Sequence, residues 1–327
     1  MDVETTAEVA LYGQNLFGED IKPDSRGIIA DKFVVPPFSV LNACEGFWQE
    51  RKRAWLSMGI KSEIGRGGHS KTSPGGSPRP ACDYSQRQRG DGAGKPIEKM
   101  EGGGGTSIFD PVLCELTYRW FCPKGGLVLD PFAGGSVRGI VAAMLGMKYW
   151  GCDLSSKQIA ANKVQAEEIC PDNQPTWVCG DALDEVPNAP LADMIFSCPP
   201  YGDLEKYSDA VNDLSTMEYH TFIATLGRII LRCYKQLKNN RFACFVVGEY
   251  RDKKGNYHNF VGDTITAFKA VGFEYYNEVI LVTSRGSLPI RIEKQFRASR
   301  KIGKTHQNIL VFVKGDGKTA TKAMGQI

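Results

Sequence analysis

From residue 108 onward the chain alternates two kinds of segment, and this alternation is the strongest constraint on its fold. Short apolar runs at Leu127–Leu129, Tyr149–Cys152, Thr176–Cys179, Asp193–Phe196, Phe242–Val247 and Asn308–Val313 predict strands. Between them, 111–121, 136–145, 156–169, 216–237 and 260–271 have helical spacing, and a further strand is expected near 273–283. Apolar runs without polar alternation belong to strands covered on both faces. The predicted fold class is therefore α/β: a Rossmann-like, mostly parallel twisted sheet with helices on both faces. Local signals agree. Asp110 can cap a helix that starts at Pro111, and Pro171 stops the one ending at Ile169.

The first hundred residues read differently. Residues 1–30 are polar and predict an arm, and Phe33–Phe38 is a strand-like run stopped by Pro36 and Pro37. Residues 45–58 predict a helix with Trp48 and Trp55 on one face, Arg51, Lys52 and Arg53 between them, and Gly59 as its C-terminal stop. The tryptophans dock this helix on the main body, and its basic turn is a candidate phosphate contact. Residues 64–105 hold twelve Gly and four Pro. Such a segment buries too little apolar surface to offset its ordering entropy, which predicts a flexible linker. The expected organisation is thus an N-terminal arm and helix over 1–63, the linker over 64–105, the main domain over 106–315 and a tail over 316–327.

Charge is distributed unevenly. Residues 51–95 carry ten Lys/Arg against three Asp/Glu, and residues 285–304 carry seven against one. Two basic segments on an acidic body point to a polyanion. Candidate phosphate contacts in the second are Arg291, Lys294, Arg297, Arg300, Lys301 and Lys304. No apolar run approaches the length of a membrane span. The opening residues do not read as a secretory or transit signal. The ten cysteines include no CxxC pair, and several, such as Cys152, Cys179 and Cys244, lie in apolar runs. That pattern predicts buried, reduced thiols, a cytoplasmic protein and no metal site.

Ligands of open α/β sheets bind outside the carboxyl ends of strands. Here Asp130, Asp153 and Asp181 follow three successive strands. Asp130–Pro131–Phe132–Ala133–Gly134–Gly135–Ser136 forms an acidic, glycine-bearing turn with a candidate helix cap at Ser136. Asp153 lies 19 residues after Gly134, where an acid can accept hydrogen bonds from ribose hydroxyls. The spacing is wrong for a G-x-G-x-x-G turn, which argues against a dinucleotide. A cationic nucleoside without phosphate fits better, and S-adenosylmethionine is one; Asp181 would accept from the adenine amine.

The second unusual string is Ser197–Cys198–Pro199–Pro200–Tyr201. Methylating a ring amine requires two acceptors for the amine hydrogens and a flat stacking surface. The Pro199 carbonyl supplies one acceptor, Cys198 or Ser197 the other, and Tyr201 the surface for a flipped-out base. Asp203, Glu205 and Tyr207 follow and could shape the pocket.

These two strings resemble those of the amino-methylating DNA methyltransferases, whose motifs are D-P-F-x-G-x-G and Asp, Asn or Ser before Pro-Pro-Tyr/Phe. Ile108–Leu113 resembles the segment those enzymes place over the methionine part of the cofactor, which implies contacts from Phe109 and Asp110. Lys304–Phe312 resembles their K-x-H-x-x-I-L-V-F strand. Pro36–Ile60, Phe196–Asp209 and Val247–Asp252 are similar to stretches of DNA methylases of actinobacterial phages and their hosts. The resemblance implies a class I S-adenosylmethionine-dependent fold and transfer to adenine N6 or cytosine N4 of DNA. It also implies cofactor contacts along Asp130–Ser136 and at Asp153, Leu154, Asp181 and Ala182. Cys198 stands where Asp, Asn or Ser is usual, and a thiol is a weak acceptor. Two other readings stay open: a guanine-N2 methyltransferase of RNA, since Gly202 follows Tyr201, and a catalytically silent protein that binds cofactor or DNA.

Overall fold

The computed structural model describes residues 32–61, 109–202, 212–286 and 288–325. The arm 1–30, the linker 64–105 and Asp203, Glu205 and Tyr207 lie outside the described residues. Within the described residues, eight strands form one sheet: β1 (Val40–Asn42), β2 (Leu127–Asp130), β3 (Lys148–Asp153), β4 (Thr176–Cys179), β5 (Ala192–Ser197), β6 (Leu237–Val247), β7 (Glu274–Val282) and β8 (His306–Lys314). Their order is β1-β7-β8-β6-β5-β2-β3-β4. All neighbours are parallel except β8, which runs antiparallel between β6 and β7. This is the expected Rossmann-like α/β sheet.

Among the described residues, nine helices accompany the sheet: α1 (Gly46–Ser57), α2 (Pro111–Phe121), α3 (Val137–Met144), α4 (Ser156–Ile169), α5 (Ala182–Glu185), α6 (Tyr219–Gln236), α7 (Phe260–Ala270), α8 (Leu288–Ser299) and α9 (Gly317–Met324). The continuous apolar runs are buried as expected: every residue of β5 is enclosed, and so are Asn308–Val313 of β8. Two apolar clusters cover the two faces of the sheet. One gathers around Trp55, Tyr118 and Phe196, the other around Phe222, Phe260 and Phe312. Among the described residues, no helix is long and apolar enough to cross a membrane.

Three elements and one strand boundary were not foreseen. β1 is only three residues long and adds a parallel edge strand beside β7. β6 begins at Leu237 rather than Phe242 and passes through Asn240 at φ 55, where the chain bends. Helix α8 occupies the basic stretch, and none of its residues is buried. Residues read as a tail form α9, capped by Asp316 accepting from the Thr319 amide at 2.8 Å, with Ala320 buried beneath.

The N-terminal helix docks as its tryptophans predict: Trp48 and Trp55 are buried. The expectation for Arg51 is overturned. It is buried and pairs with Glu115 through both arms of its guanidinium, Nε donating at 2.6 Å. Arg119 donates to the same carboxylate at 3.0 Å, and Trp55 Nε1 does so at 2.9 Å. A guanidinium so enclosed cannot reach phosphate. Lys52 is likewise engaged, with Asp110 at 3.0 Å, while Arg53 remains exposed. Cys152 and Cys244 are buried thiols, but Cys179 is exposed at the end of its short strand.

Burial raises the Glu115 carboxyl, and the two arginines with Trp55 outweigh that and hold it below the ordinary value. The stabilisation is therefore complete above the usual carboxylate range and disappears as pH falls through the depressed value. Replacing Glu115 by Gln strands Arg51 in the core. Urea unfolding of that variant should show a loss of about 3–5 kcal/mol, whereas Arg53→Ala should stay within about 0.5 kcal/mol of the parent.

Candidate active site

The strand order reverses between β2 and β5, the topological switch point where ligands bind in such sheets. The two sequence strings leave the sheet at that point, one from β2 and the other from β5. They are joined directly: the Ser197 hydroxyl donates to Asp130 Oδ1 at 2.5 Å. Asp130 is fully buried. Its carboxylate also accepts from the Phe132 amide at 3.1 Å, Arg138 Nε at 2.5 Å and the Tyr149 hydroxyl at 2.7 Å.

This corrects two expectations. Asp130 does not face a ligand; it is an internal hub with four donors. Ser197 is buried and its hydroxyl is committed to that hub, so it is not the acceptor beside the prolines. Arg138 completes the arrangement by donating to the carbonyls of Phe132 and Ala133, the latter at 2.9 Å. Its guanidinium lies 4.6 Å over the Phe109 ring. Burial disfavours the Arg138 charge, but Asp130 outweighs it and keeps the guanidinium protonated. Burial and Asp130 together push the Tyr149 phenol upward, so it stays a neutral donor.

The rest of the glycine-bearing turn is fastened from both sides. Gly134 takes φ 52, a conformation open to glycine at little cost. Its amide donates to Asp153 Oδ2 at 3.0 Å, and its carbonyl accepts from Asn162 at 2.8 Å. Asp153 also accepts from the Ser155 amide at 2.8 Å through its other oxygen. Its two oxygens thus each hold one backbone amide, tying the turn after β2 to the turn after β3. Asp181 caps α5 at the Leu183 amide, 2.9 Å, and accepts from Asn212 at 3.0 Å. Gly134, Gly135, Leu154, Asp153, Phe132 and Asp181 are half-buried along this edge, while Pro131, Ala133 and Ala182 lie beneath. Ser136 differs from expectation: it makes no side-chain cap, and its buried hydroxyl contacts Gln165 at 3.2 Å. Asp110 caps α2 at the Val112 amide, 3.0 Å, and also accepts from Trp48 at 3.2 Å.

After β5, Pro199 is buried and Cys198, Pro200 and Tyr201 are half-buried. Cys198 packs against the core on the α2 side and lies within electrostatic reach of Arg138. The Tyr201 ring is set edge-on to Tyr250, centroids 6.5 Å apart, and to Phe260 at 5.9 Å. Its hydroxyl accepts from Gln307 Nε2 at 3.2 Å. Glu249, at the end of β6, caps α7 through the Phe260 and Val261 amides at 2.9 and 3.0 Å.

Lys304 sits against the end of β6 beside Tyr201 rather than on the outer surface, a further correction. Its ammonium lies 3.3 Å from the Glu249 carbonyl and borders Gly248, as does the Tyr201 ring. Burial lowers the Lys304 pKa, offset in part by Glu249. Burial and Lys304 likewise lower the His306 pKa. Sequence reasoning missed Arg138, Tyr149 and Gln307. Only Gln307, inside the K-x-H-x-x-I-L-V-F-like stretch, stood in a segment that was singled out.

The chain is similar to several solved structures. TrmN from Thermus thermophilus aligns at 15% identity over 63% of this chain and 49% of that one, with a TM-score of 0.41. Magnesium protoporphyrin IX methyltransferase from Synechocystis with bound SAM aligns at 16% identity over 59% and 71%, TM-score 0.39. A protein described as a candidate DNA modification methylase, also from Thermus thermophilus, aligns at 19% identity over 42% and 52%, TM-score 0.32. The chain spans about half the length of the TrmN chain it matches. No family model and no curated protein matches the sequence.

Of the basic candidates, Arg291, Lys294, Arg297 and Arg300 are exposed and Lys301 is half-buried. Among the described residues, no cluster of His, Cys, Asp and Glu is arranged to hold a metal ion. Removing single donors to the hub should cost modest stability: about 1–2 kcal/mol for Ser197→Ala or Tyr149→Phe in chemical denaturation. Asp130→Asn, which leaves the Arg138 charge enclosed without a counter-charge, should cost about 3–5 kcal/mol.

Proposed function

We propose that the chain is an S-adenosylmethionine-dependent DNA methyltransferase acting on an exocyclic base amine, adenine N6 or cytosine N4. One observation carries the reading. The glycine-bearing turn after β2 and the Cys198–Tyr201 turn after β5 emerge side by side at the switch point, bonded to each other through Ser197 and Asp130. A ligand on the first turn is thereby adjacent to one on the second.

The residues fit the cofactor. Gly134 and Gly135 allow close approach of backbone, Asp153 can accept ribose hydroxyls and Asp181 the adenine amine. Phe109 and Asp110 stand at the start of α2, where they would cover the methionine end. When bound, the cofactor supplies a methyl group on a positively charged sulfur, and no phosphate site is required.

The chain's own residues then have to prepare the nucleophile. An aromatic amine has its lone pair delocalised into the ring. Accepting both of its hydrogens localises that pair on nitrogen. The Pro199 carbonyl is the strong acceptor, held by a rigid Pro-Pro backbone. Cys198 Sγ is a weak second acceptor, because the Ser197 hydroxyl is committed elsewhere. Tyr201 offers a ring face to an extruded base, its hydroxyl tethered by Gln307 and its edges by Tyr250 and Phe260. Extrusion is required because the target amine is otherwise paired within the duplex.

Transfer of tritiated methyl to DNA and to tRNA tests this reading. Label should enter DNA and not tRNA, and mass spectrometry of the digested nucleosides should show N6-methyladenine or N4-methylcytosine. Transfer to tRNA alone, or cofactor binding without transfer to either, would overturn it. Tyr201→Ala should lower transfer by about 100-fold with S-adenosylhomocysteine binding unchanged. Cys198→Ala should keep activity within about tenfold of the parent, since the main acceptor is backbone.

A further inference from the structure

Beside the Tyr201 pocket, the carboxyl edge of the sheet presents a cationic relief assembled from two segments distant in sequence. The first is the turn 250–258 between β6 and α7. Arg251 and Tyr257 pair as an antiparallel bridge, and Asp252 accepts from the Asn256 amide at 2.8 Å. The turn passes through Gly255 at φ 95, which sets Lys253 and Lys254 at its exposed tip. Tyr257 is 47% exposed, and the Arg251 guanidinium stacks 3.9 Å over its ring.

The second segment is α8 with the connection that follows it. Arg291, Lys294 and Arg297 are exposed on this twelve-residue helix. Its single acid, Glu293, is taken by Arg297 at 2.8 Å. With no residue buried, α8 gains little from packing, and an isolated helix of this length is marginal in water. Ile290, 85% exposed, and Phe296, 41% exposed, stand among the cations.

The two segments meet. The Lys301 ammonium rests against Gly255, in the space a side chain there would occupy. The same connection then reaches the pocket, Lys304 on the Glu249 carbonyl and Gln307 on the Tyr201 hydroxyl. A basic amphipathic helix alone would suit an anionic membrane as well as a nucleic acid. Contact with a second basic turn, an arginine-backed tyrosine at its edge and a direct link to the base pocket favour nucleic acid.

We propose that the turn 250–258 and α8 form one surface that binds the sugar–phosphate backbone of duplex DNA and sets its register on the Tyr201 pocket, an inference that rests on the methyltransferase reading above. Fluorescence anisotropy with the full chain and a labelled duplex, over a range of salt, tests it. The variants are Arg291→Gln with Lys294→Gln, and Lys253→Gln with Lys254→Gln. Each pair should weaken duplex binding about tenfold and reduce the slope of log affinity against log salt by about 2. S-adenosylhomocysteine binding should be unchanged in both, showing that they are folded.

Parental affinity and slope in both variants would overturn the proposal. So would loss of binding to phosphatidylserine vesicles with duplex binding intact, which would assign the surface to a membrane. If the variants lose duplex binding as expected while the parent transfers no methyl to DNA, the surface stands and the methyltransferase reading falls.

Discussion

A buried charge pair, Asp130 with Arg138, holds the candidate site together. A lone carboxylate in this position would be expelled by desolvation, and a lone guanidinium equally so. Placed against each other, with Tyr149, Ser197 and the Phe132 amide as further donors, they are tolerated. The pair reaches outward through every bond it makes. Arg138 orders the carbonyls of Phe132 and Ala133, which shapes the glycine-bearing turn. Ser197 transmits the same anchorage to the residue before Cys198. The spacing between the two turns is thus set by groups buried beneath them.

Much of this fold was legible in the sequence because its strands are buried on both faces. Such strands must be continuously apolar, and the runs at 127–129, 149–152 and 193–196 could hardly be anything else. β1 was missed because an edge strand of three residues is stabilised by its partner β7 rather than by its own composition. α8 was missed for another reason: none of its residues is buried, and its dense run of cations reads first as a solvated basic segment. The early start of β6 escaped because Lys238, Asn239 and Asn240 are polar, and Asn240 adopts a conformation that interrupts regular extended geometry.

The site was legible as two strings but not as a set of roles. Asp130 looked like a ligand contact because strand-end acids commonly are. Only the structure shows that Arg138, eight residues on and helical, turns back toward it. Arg51 looked like a surface charge beside Lys52 and Arg53. Its counter-ion Glu115 lies 64 residues away, beyond any local pattern. Lys304 and Ser197 follow the same rule. A polar residue's partner is fixed by tertiary packing, and partner identity decides whether the residue acts on a ligand or on the fold.

The position of β8 has a consequence for how the molecule comes into being. It is the last strand in the described chain, yet it lies third from the edge of the sheet, antiparallel between β6 and β7. Until it emerges from the ribosome, β6 and β7 cannot acquire their shared neighbour. Tyr201, synthesised more than a hundred residues earlier, still lacks Gln307. The nascent chain can complete the glycine-bearing turn well before it can complete the contacts around Tyr201. The surroundings of Tyr201 are therefore settled only when β8 takes its place in the sheet.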